Sequence, residues 1–361
     1  MLHGFGYLGE VDRIMAKIDD VARLAGVSKG TVSNVFSQKR PTSKKVTERV
    51  LNASKELNYV PNHIARSLVT KKTMAIGLTI PHGHFFFSVF HNQFINGVVL
   101  EASIYGYRVL LDMIAAEEVK TPSLASYPID GAIVLGPTVE DKRIQMLHQN
   151  QLPFVTVGKI MSDGLPNELT VNNDNKQIIR DICEYLIELG HRHMVFLNAG
   201  KRMTVSIERT ESFVHILEEN GIDVKPYMIH YKPELQSEKY MTYGYDEIFR
   251  VIGTMKRQVT AIIADDDRTA LSALNAIKDL GLSVPEDISL FVICGDLSIM
   301  HQMTPSLTGM DLQPSELGAQ SVRLLMHKLG VLEGEFSHNL IIKSNMIERS
   351  SCQVVPRLCT D

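Results

Sequence analysis

The chain has 361 residues, of which 44% are hydrophobic and 22% charged, with a formal net charge of −4. That length suits one small domain and one or two larger ones with substantial cores. No run of about 20 apolar residues is present, which excludes a membrane-spanning helix, and the four cysteines (Cys183, Cys294, Cys352, Cys359) lack a CxxC spacing and read as free thiols.

The first 14 residues carry no caps, no periodicity and no basic start before an apolar core, so they do not read as a signal peptide. Residues 18–36 then form two short amphipathic helices joined by an Ala-Gly-Val turn. Val21, Ala22 and Ala25 line the inner face of the first helix; Val32, Val35 and Phe36 line that of the second. Ser28 is placed to cap the second helix, whose outer face shows Lys29, Gly30, Ser33 and Asn34. This is the pattern of a helix-turn-helix, in which helix one braces and helix two enters the DNA major groove. Ser43 caps a third helix to about Leu57, with Val46, Val50, Ala53 and Leu57 at helical spacing. Pro61 opens a short helix, with Ile64 and Leu68 one turn apart. Two turns are marginal alone in water, so this helix folds only against a partner such as DNA and a twin subunit.

Charge agrees with that reading. Residues 16–73 hold 12 Lys/Arg against 4 Asp/Glu, a net of +8, whereas residues 74–361 hold 24 against 35, a net of −11. A basic head binds phosphates by counterion release, and an acidic body stays off the DNA. A merely solvated basic face would leave the adjoining helix-turn-helix unexplained.

Downstream, short apolar runs alternate with helical stretches. Strands are predicted over 75–81, 107–112, 131–135, 153–158, 193–198, 227–230, 260–264 and 289–294. Helices are predicted over 175–189, 206–220, 240–255 and 268–280. Continuous apolar strands with crossover helices give an α/β architecture with parallel sheets, long enough for two lobes. Residues 114–127 are short for a crossover helix, which makes that edge irregular.

Four segments, Asp20-Val-Ala-Arg-Leu-Ala-Gly-Val-Ser28, Thr31-Val-Ser-Asn-Val35, Leu57-Asn-Tyr-Val-Pro-Asn62 and Ala65-Arg-Ser-Leu68, resemble the start of lactose-repressor (LacI) family regulators. The resemblance runs from Lys17 to about Gly77 and resumes in blocks to about Arg349. It implies an N-terminal all-α helix-turn-helix head with a hinge helix, plus an α/β two-lobed domain like periplasmic binding proteins for effector binding and dimerisation. The implied division is a non-native or disordered extension at 1–15, with Met15 the natural start, the DNA-binding domain at 16–60, the hinge at 61–73, the two lobes at 74–349 and a tail at 350–361. Three lobe crossovers are expected near 169–173, 303–313 and 330–339.

By the same resemblance, Lys29, Gly30 and Asn34 read bases after Ser28 of the turn. Lys29 can donate to guanine and Asn34 can pair bidentately with adenine, while Gly30 offers no side chain. Thr31, Ser33 and Thr42 suit phosphates. Asn62 and Arg66 flank the hinge, and Leu68 is the minor-groove wedge. A near-palindromic operator and a homodimer follow from that reading mode.

Effector candidates come from loops after strands, where α/β folds bind small molecules. Arg209 lines up with an arginine that holds effector hydroxyls or carboxylates in relatives. Asp266 lies in Ala264-Asp-Asp-Asp-Arg268, where relatives carry Ala-Asn-Asp, and Asp267 is expected to cap the next helix. Asp296 follows the strand at 289–294, and Cys294 can occupy the same place. The first lobe has His82-Gly-His-Phe-Phe-Phe-Ser-Val-Phe90, longer than in relatives; Phe86, Phe87 or Phe90 can stack on a sugar ring, with core packing the alternative for at least two of them. His82 and His84 lack a third ligand, so no metal site is expected, and no cofactor. Carboxylates with one arginine and aromatics favour a neutral polyhydroxy compound, a sugar or small glycoside.

The resemblance therefore implies a cytoplasmic repressor of sugar genes, released from DNA by its effector. A purine-controlled or partner-controlled regulator of the same fold is the alternative. A solute carrier has no use for residues 17–73, and an enzyme lacks a nucleophile with a partner base and a phosphate-binding glycine loop. The tail has Pro356 and no heptads, which argues against a tetramerising coiled coil.

Overall fold

The first helix, α1 (Ile18–Ala25), begins where the Asp20 carboxylate accepts the Lys17 N–H at 2.9 Å. It ends at Gly26, whose φ of 62° is the left-handed conformation that glycine adopts without Cβ strain. The second, α2 (Lys29–Ser37), starts with Ser28 Oγ accepting the Thr31 N–H at 3.1 Å. Ser43 caps α3 (Lys44–Glu56) by accepting the Val46 N–H at 3.4 Å. Val21, Val32 and Val50 are wholly buried where the three helices meet, with Ala22, Ala25, Val35 and Ala53 around them. From α3, Arg49 donates to Ala25 O at 2.6 and 3.0 Å and to Gly26 O at 3.0 Å. This guanidinium satisfies the orphan carbonyls at the end of α1 and pins the turn.

This computed structural model describes residues 16–37, 40–59, 72–81, 88–114, 128–161, 168–234, 237–255, 258–294 and 297–355. The chain divides into two compact units between Thr73 and Met74. Asn62, Arg66 and Leu68 of the expected hinge lie outside the described residues, as do 1–15 and the tail from 356.

In the second unit the chain runs β1 (Ala75–Pro81), α4 (Val89–Ile104), β2 (Arg108–Ile114), β3 (Gly131–Leu135), α5 (Lys142–Gln149), β4 (Phe154–Val157) and β5 (Leu169–Asn173). It then builds α6 (Asn175–Glu188), β6 (Met194–Asn198), α7 (Thr204–Glu219), β7 (Ile229–Tyr231), α8 (Lys239–Thr242), α9 (Tyr245–Met255) and β8 (Ala261–Ala264). There follow α10 (Asp267–Asp279), β9 (Ser289–Cys294), α11 (Leu297–Gln302), β10 (Thr308–Asp311), α12 (Pro314–Lys328), β11 (Asn339–Ile342) and β12 (Asn345–Ile347). Two six-stranded sheets result, ordered β11-β5-β4-β3-β1-β2 in the first lobe and β12-β10-β9-β8-β6-β7 in the second. All neighbours are parallel except β10 and β12. Strands such as β3, β4, β6 and β8 are buried at every position, because helices cover both faces.

The chain passes between lobes three times: after Asn173, after Asp311, and between Ile342 and Asn345. The first two expected crossover segments contain strands β5 and β10, and the chain leaves at their ends. The third lies at Lys343 and Ser344 rather than at 330–339. There the sequence reading failed because β11 and β12 are four and three residues long and half-exposed, too short for a periodicity. One side chain joins all three passages: Asn173 Nδ2 donates to Leu312 O at 3.1 Å and to Ile342 O at 3.0 Å.

One predicted helix is also corrected. Residues 240–255 are not continuous, since Tyr243 turns inward between α8 and α9. Its hydroxyl lies 2.9 Å from Asn198 O and 3.0 Å from His230 O, with its one proton shared between the two acceptors. Gly244, at φ 93°, permits the break.

Candidate functional sites: a helix face and a charged cleft

The exposed face of α2 carries the expected base-reading residues. Lys29, Gly30 and Ser33 are exposed and Asn34 and Thr31 are half-buried, whereas Val32 and Val35 on the opposite side hold the core. Lys29 Nζ rests 2.9 Å from Asp19 Oδ2, but both side chains are more than half exposed, at 61% and 56%. Such a pair contributes little and exchanges readily for a phosphate or a base edge. Ser28 is occupied by its capping role, and its Oγ lies 2.9 Å from Thr31 Oγ1. Thr42 Oγ1 lies 3.0 Å from Thr47 Oγ1 at the start of α3.

In the larger unit, side chains gather at the carboxyl ends of β6, β7 and β8, where the strand order of the second lobe reverses. Arg209, on α7, is 5% exposed. Its Nη1 donates to Asp265 Oδ1 at 2.6 Å and its Nε to Asn175 Oδ1 at 3.1 Å. Among the described residues, its Nη2 makes no hydrogen bond. Lys232, just after β7, sits 2.6 Å from Asp266 Oδ2 and 3.6 Å from Asp265 Oδ2. The first lobe reaches the same cluster: Asn172 Nδ2 lies 3.4 Å from Glu208 Oε2 and Lys159 Nζ 4.0 Å from Glu208 Oε1. Asn175 donates to Glu208 Oε2 at 3.1 Å.

Burial depresses the Arg209 guanidinium, and Asp265 opposes the shift. Burial would also lower Lys232, but Asp266 and Asp265 outweigh it and hold the ammonium above its usual range. Burial raises Asp265 against the pull of Lys232 and Arg209. Burial acts upward on Asp266 as well, yet Lys232 and the Thr269 donors bring it down to about 2. Two cations and two carboxylates thus balance in one dry spot, which is the condition under which buried charges are tolerated.

The aspartate run is read one residue late in the sequence. Asp266, not Asp267, caps α10, accepting the Thr269 N–H at 2.8 Å from the Ncap position. Its other oxygen is taken by Lys232, so the carboxylate facing Arg209 is Asp265. Phe90 packs as a core side chain. Its ring stacks on Phe94, 6.2 Å between centroids, and packs against the cores of both lobes. The next residue, His91, does face Asp266 and Lys232; burial chiefly lowers it, to about 4, so the imidazole is neutral at pH 7. Phe87, Asp296, His82 and His84 lie outside the described residues. Lys232, Asp265, Asn175 and Glu208 were missed because each sits in a loop or on a helix without a recognisable spacing; the triple aspartate was the one available signal.

A second buried pair stands in the first lobe. Arg143 and Asp141 are both wholly buried, 2.7 Å apart. Asp141 caps α5, and Arg143 also donates to Gly136 O at 3.2 Å.

Comparison with known proteins follows this division. Residues 17–62 match the family of bacterial regulatory proteins of the lacI type, and residues 183–352 match a periplasmic binding protein-like domain. The HTH-type transcriptional regulator RegA of Clostridium saccharobutylicum is 29% identical over 339 residues, 92% of this chain and 98% of that protein. A ribose operon repressor of Halalkalibacterium halodurans is 30% identical over 319 residues, 87% of this chain and 91% of that protein. Among solved structures, the transcriptional regulator CelR in complex with cellobiose superposes with a TM-score of 0.68 at 25% identity, covering 93% of this chain and 99% of that one.

Proposed function

Since the chain belongs to the lacI family of bacterial regulatory proteins and is a helix-turn-helix transcriptional regulator, we propose that it represses genes of sugar uptake or catabolism and leaves its operator when a small carbohydrate binds around Arg209. One observation carries the effector reading: the cluster of Arg209, Lys232, Asp265 and Asp266 pairs two cations with two carboxylates, and among the described residues Arg209 Nη2 makes no hydrogen bond. A phosphate or dicarboxylate would upset that balance in a low-dielectric site, whereas hydroxyls accept from the guanidinium and donate to carboxylates at no charge cost. The relatives named for ribose and crystallised with cellobiose support a sugar.

On the DNA side, Lys29 and Asn34 read bases, Gly30 leaves one position to shape, and Ser28, Thr31, Ser33 and Thr42 hold the backbone. Two heads on one near-palindromic site require a homodimer. Exposed apolar side chains of the first lobe suit a second copy: Leu100 and Ile104 of α4 are 60% and 71% exposed, and Leu110 and Leu111 lie on the edge strand β2. No described helix is long and apolar enough to cross a membrane, and a regulator that reads operator DNA works in the cytoplasm.

The test is a thermal-shift screen of the full chain against cellobiose, maltose, ribose, sugar phosphates and purines, repeated on Arg209→Ala. A neutral sugar that raises the melting temperature of the wild type and not of the variant supports the reading. A response confined to purines or to phosphorylated compounds contradicts it.

A further inference from the structure

Two of the four acids among residues 16–73, Asp19 and Asp20, stand in the first turn of α1. Asp20 is occupied by its own helix: it accepts the Lys17 N–H at 2.9 Å and lies 3.2 Å from Arg23 Nη2. Among the described residues Asp19 makes no such bond within α1. Its carboxylate accepts instead from Lys29, the first residue of α2, with Nζ 2.9 Å from Asp19 Oδ2. The next residue, Gly30, answers no packing demand, because a Cβ there would meet nothing nearer than Ser28 Oγ at 3.7 Å. The start of α2 thus presents one ammonium and one carboxylate side by side, both in water.

An exposed pair of this kind adds little to folding, so its consequence lies in what meets that face. A carboxylate there costs affinity for a polyanion, and the cost is offset only where the DNA supplies a donor. In the major groove a G·C pair shows guanine O6 and N7 as acceptors and the cytosine N4 amino group as a donor. O6 and N4 are hydrogen-bonded to each other and so stand about 2.9 Å apart. The Lys29 ammonium and the Asp19 carboxylate have the same spacing with the opposite polarity. An ammonium carries three donors, enough to keep one on Asp19 while the others serve O6 and N7, and a carboxylate has acceptor positions for both the ammonium and the cytosine amino group.

We propose, resting on the base-reading role of Lys29, that Asp19 and Lys29 read one G·C pair together. Lys29 takes guanine and Asp19 takes cytosine, so the bracing helix α1 adds a specificity-determining residue to the reading face. The reversed pair sets the cytosine amino group against the ammonium and the guanine oxygen against the carboxylate, like against like on both sides. Adenine in the place of guanine repeats that clash through its N6 amino group, and thymine there sets a methyl group where N7 would be. At a site without the G·C pair Lys29 turns to a phosphate and leaves Asp19 facing DNA without a partner. Asp19 therefore lowers non-specific affinity as well as choosing a base.

The experiment selects duplexes from a random pool with the full chain as wild type, Lys29→Ala and Asp19→Ala, and measures Kd by anisotropy on the wild-type duplex and on a scrambled one over a range of salt. Both variants are expected to relax preference at the same G·C position. Asp19→Ala is expected to bind the scrambled duplex several-fold tighter, with a salt slope steeper by about 0.9 as Lys29 is freed for a phosphate. A second arm leaves the protein intact and replaces the cytosine of that pair by pyrimidin-2-one, which lacks the amino group. This is expected to weaken the wild type on the order of tenfold and Asp19→Ala by less than about twofold. A wild type indifferent to the amino group, or an Asp19→Ala that keeps the preference which Lys29→Ala loses, overturns the joint reading and leaves Lys29 as a base reader. A Lys29→Ala that keeps every preference removes the base-reading role of Lys29 itself, and the joint reading with it.

Discussion

The proposed DNA-reading face and the proposed effector cluster are built in opposite ways. On α2 the side chains proposed to read DNA follow one another from Lys29 to Asn34, on a helix whose cap, turn and buried stripe all lie within the same short segment. The cluster around Arg209 joins Asn175 at the start of α6, Lys232 after β7, and Asp265 and Asp266 after β8. Helix periodicity fixes the first arrangement locally. Long-range strand order fixes the second, and a change to one of its members is transmitted through charge to the others.

The largest effect that separates the two regions is expected from Asp141→Ala. Removing the carboxylate strands the wholly buried Arg143 guanidinium and also uncaps α5. Breaking a buried pair on one side costs about 3–5 kcal/mol. Calorimetry should show the melting temperature of the larger unit falling while the helical head keeps its own transition; a loss below about 1 kcal/mol contradicts the assignment of this pair.

Changes on the α2 face should do the reverse. Lys29→Ala or Asn34→Ala is expected to weaken operator binding by about 1–3 kcal/mol with relaxed base preference, and to leave the melting curve of the larger unit in place. Selection of duplexes by each variant reads this directly, and an unchanged sequence preference removes the residue from the reading face.

A smaller loss, about 1 kcal/mol, is expected for Ser43→Ala, because its side chain satisfies only the Val46 N–H of α3. Hydrogen exchange should quicken in α3 and in the turn that Arg49 pins, and not in the sheets. Exchange that quickens in the sheets as well would break the separation of the two units.

At neutral pH the last effect vanishes, and it grows only in acid. His191 is 2% exposed, with Nδ1 2.9 Å from Thr260 Oγ1, and burial lowers it from 6.5 to about 4. Between these values the unfolded chain takes up a proton that the native chain refuses, so stability is full above pH 6.5 and falls as the pH drops toward 4. His191→Asn should flatten that window by a few degrees of melting temperature, on the order of 2–4 °C per kcal/mol. A variant that acidifies with the same slope as the wild type contradicts the burial argument.

Sequence reading reached the two regions unequally for the same physical reason. The caps at Ser28 and Ser43 and the buried valines of the head follow from period and hydroxyl placement alone. Strands β1, β3 and β9 were legible to the residue as apolar runs. The edge strands β11 and β12 were not, since half-exposed segments of four and three residues carry no pattern. Within the cluster Arg209 was legible by resemblance, but the cap of α10 was placed one residue off. Whether Asp266 or Asp267 caps α10 depends on where that helix begins, and boundaries are the weakest part of any pattern. Lys232 gave no local signal; only the folding of β7 beside β6 brings it to the two aspartates.

One proposal joins the two regions: a neutral sugar at Arg209 controls binding at Lys29 and Asn34. The direct measurement is a titration of the full chain on its selected operator duplex with and without the sugar that shifts its melting temperature, repeated on Arg209→Ala. The predicted result is an affinity for DNA that the sugar weakens in the wild type, while the variant binds the duplex as tightly and ignores the sugar. An affinity that the sugar leaves unchanged in the wild type, or weakens equally in Arg209→Ala, contradicts it.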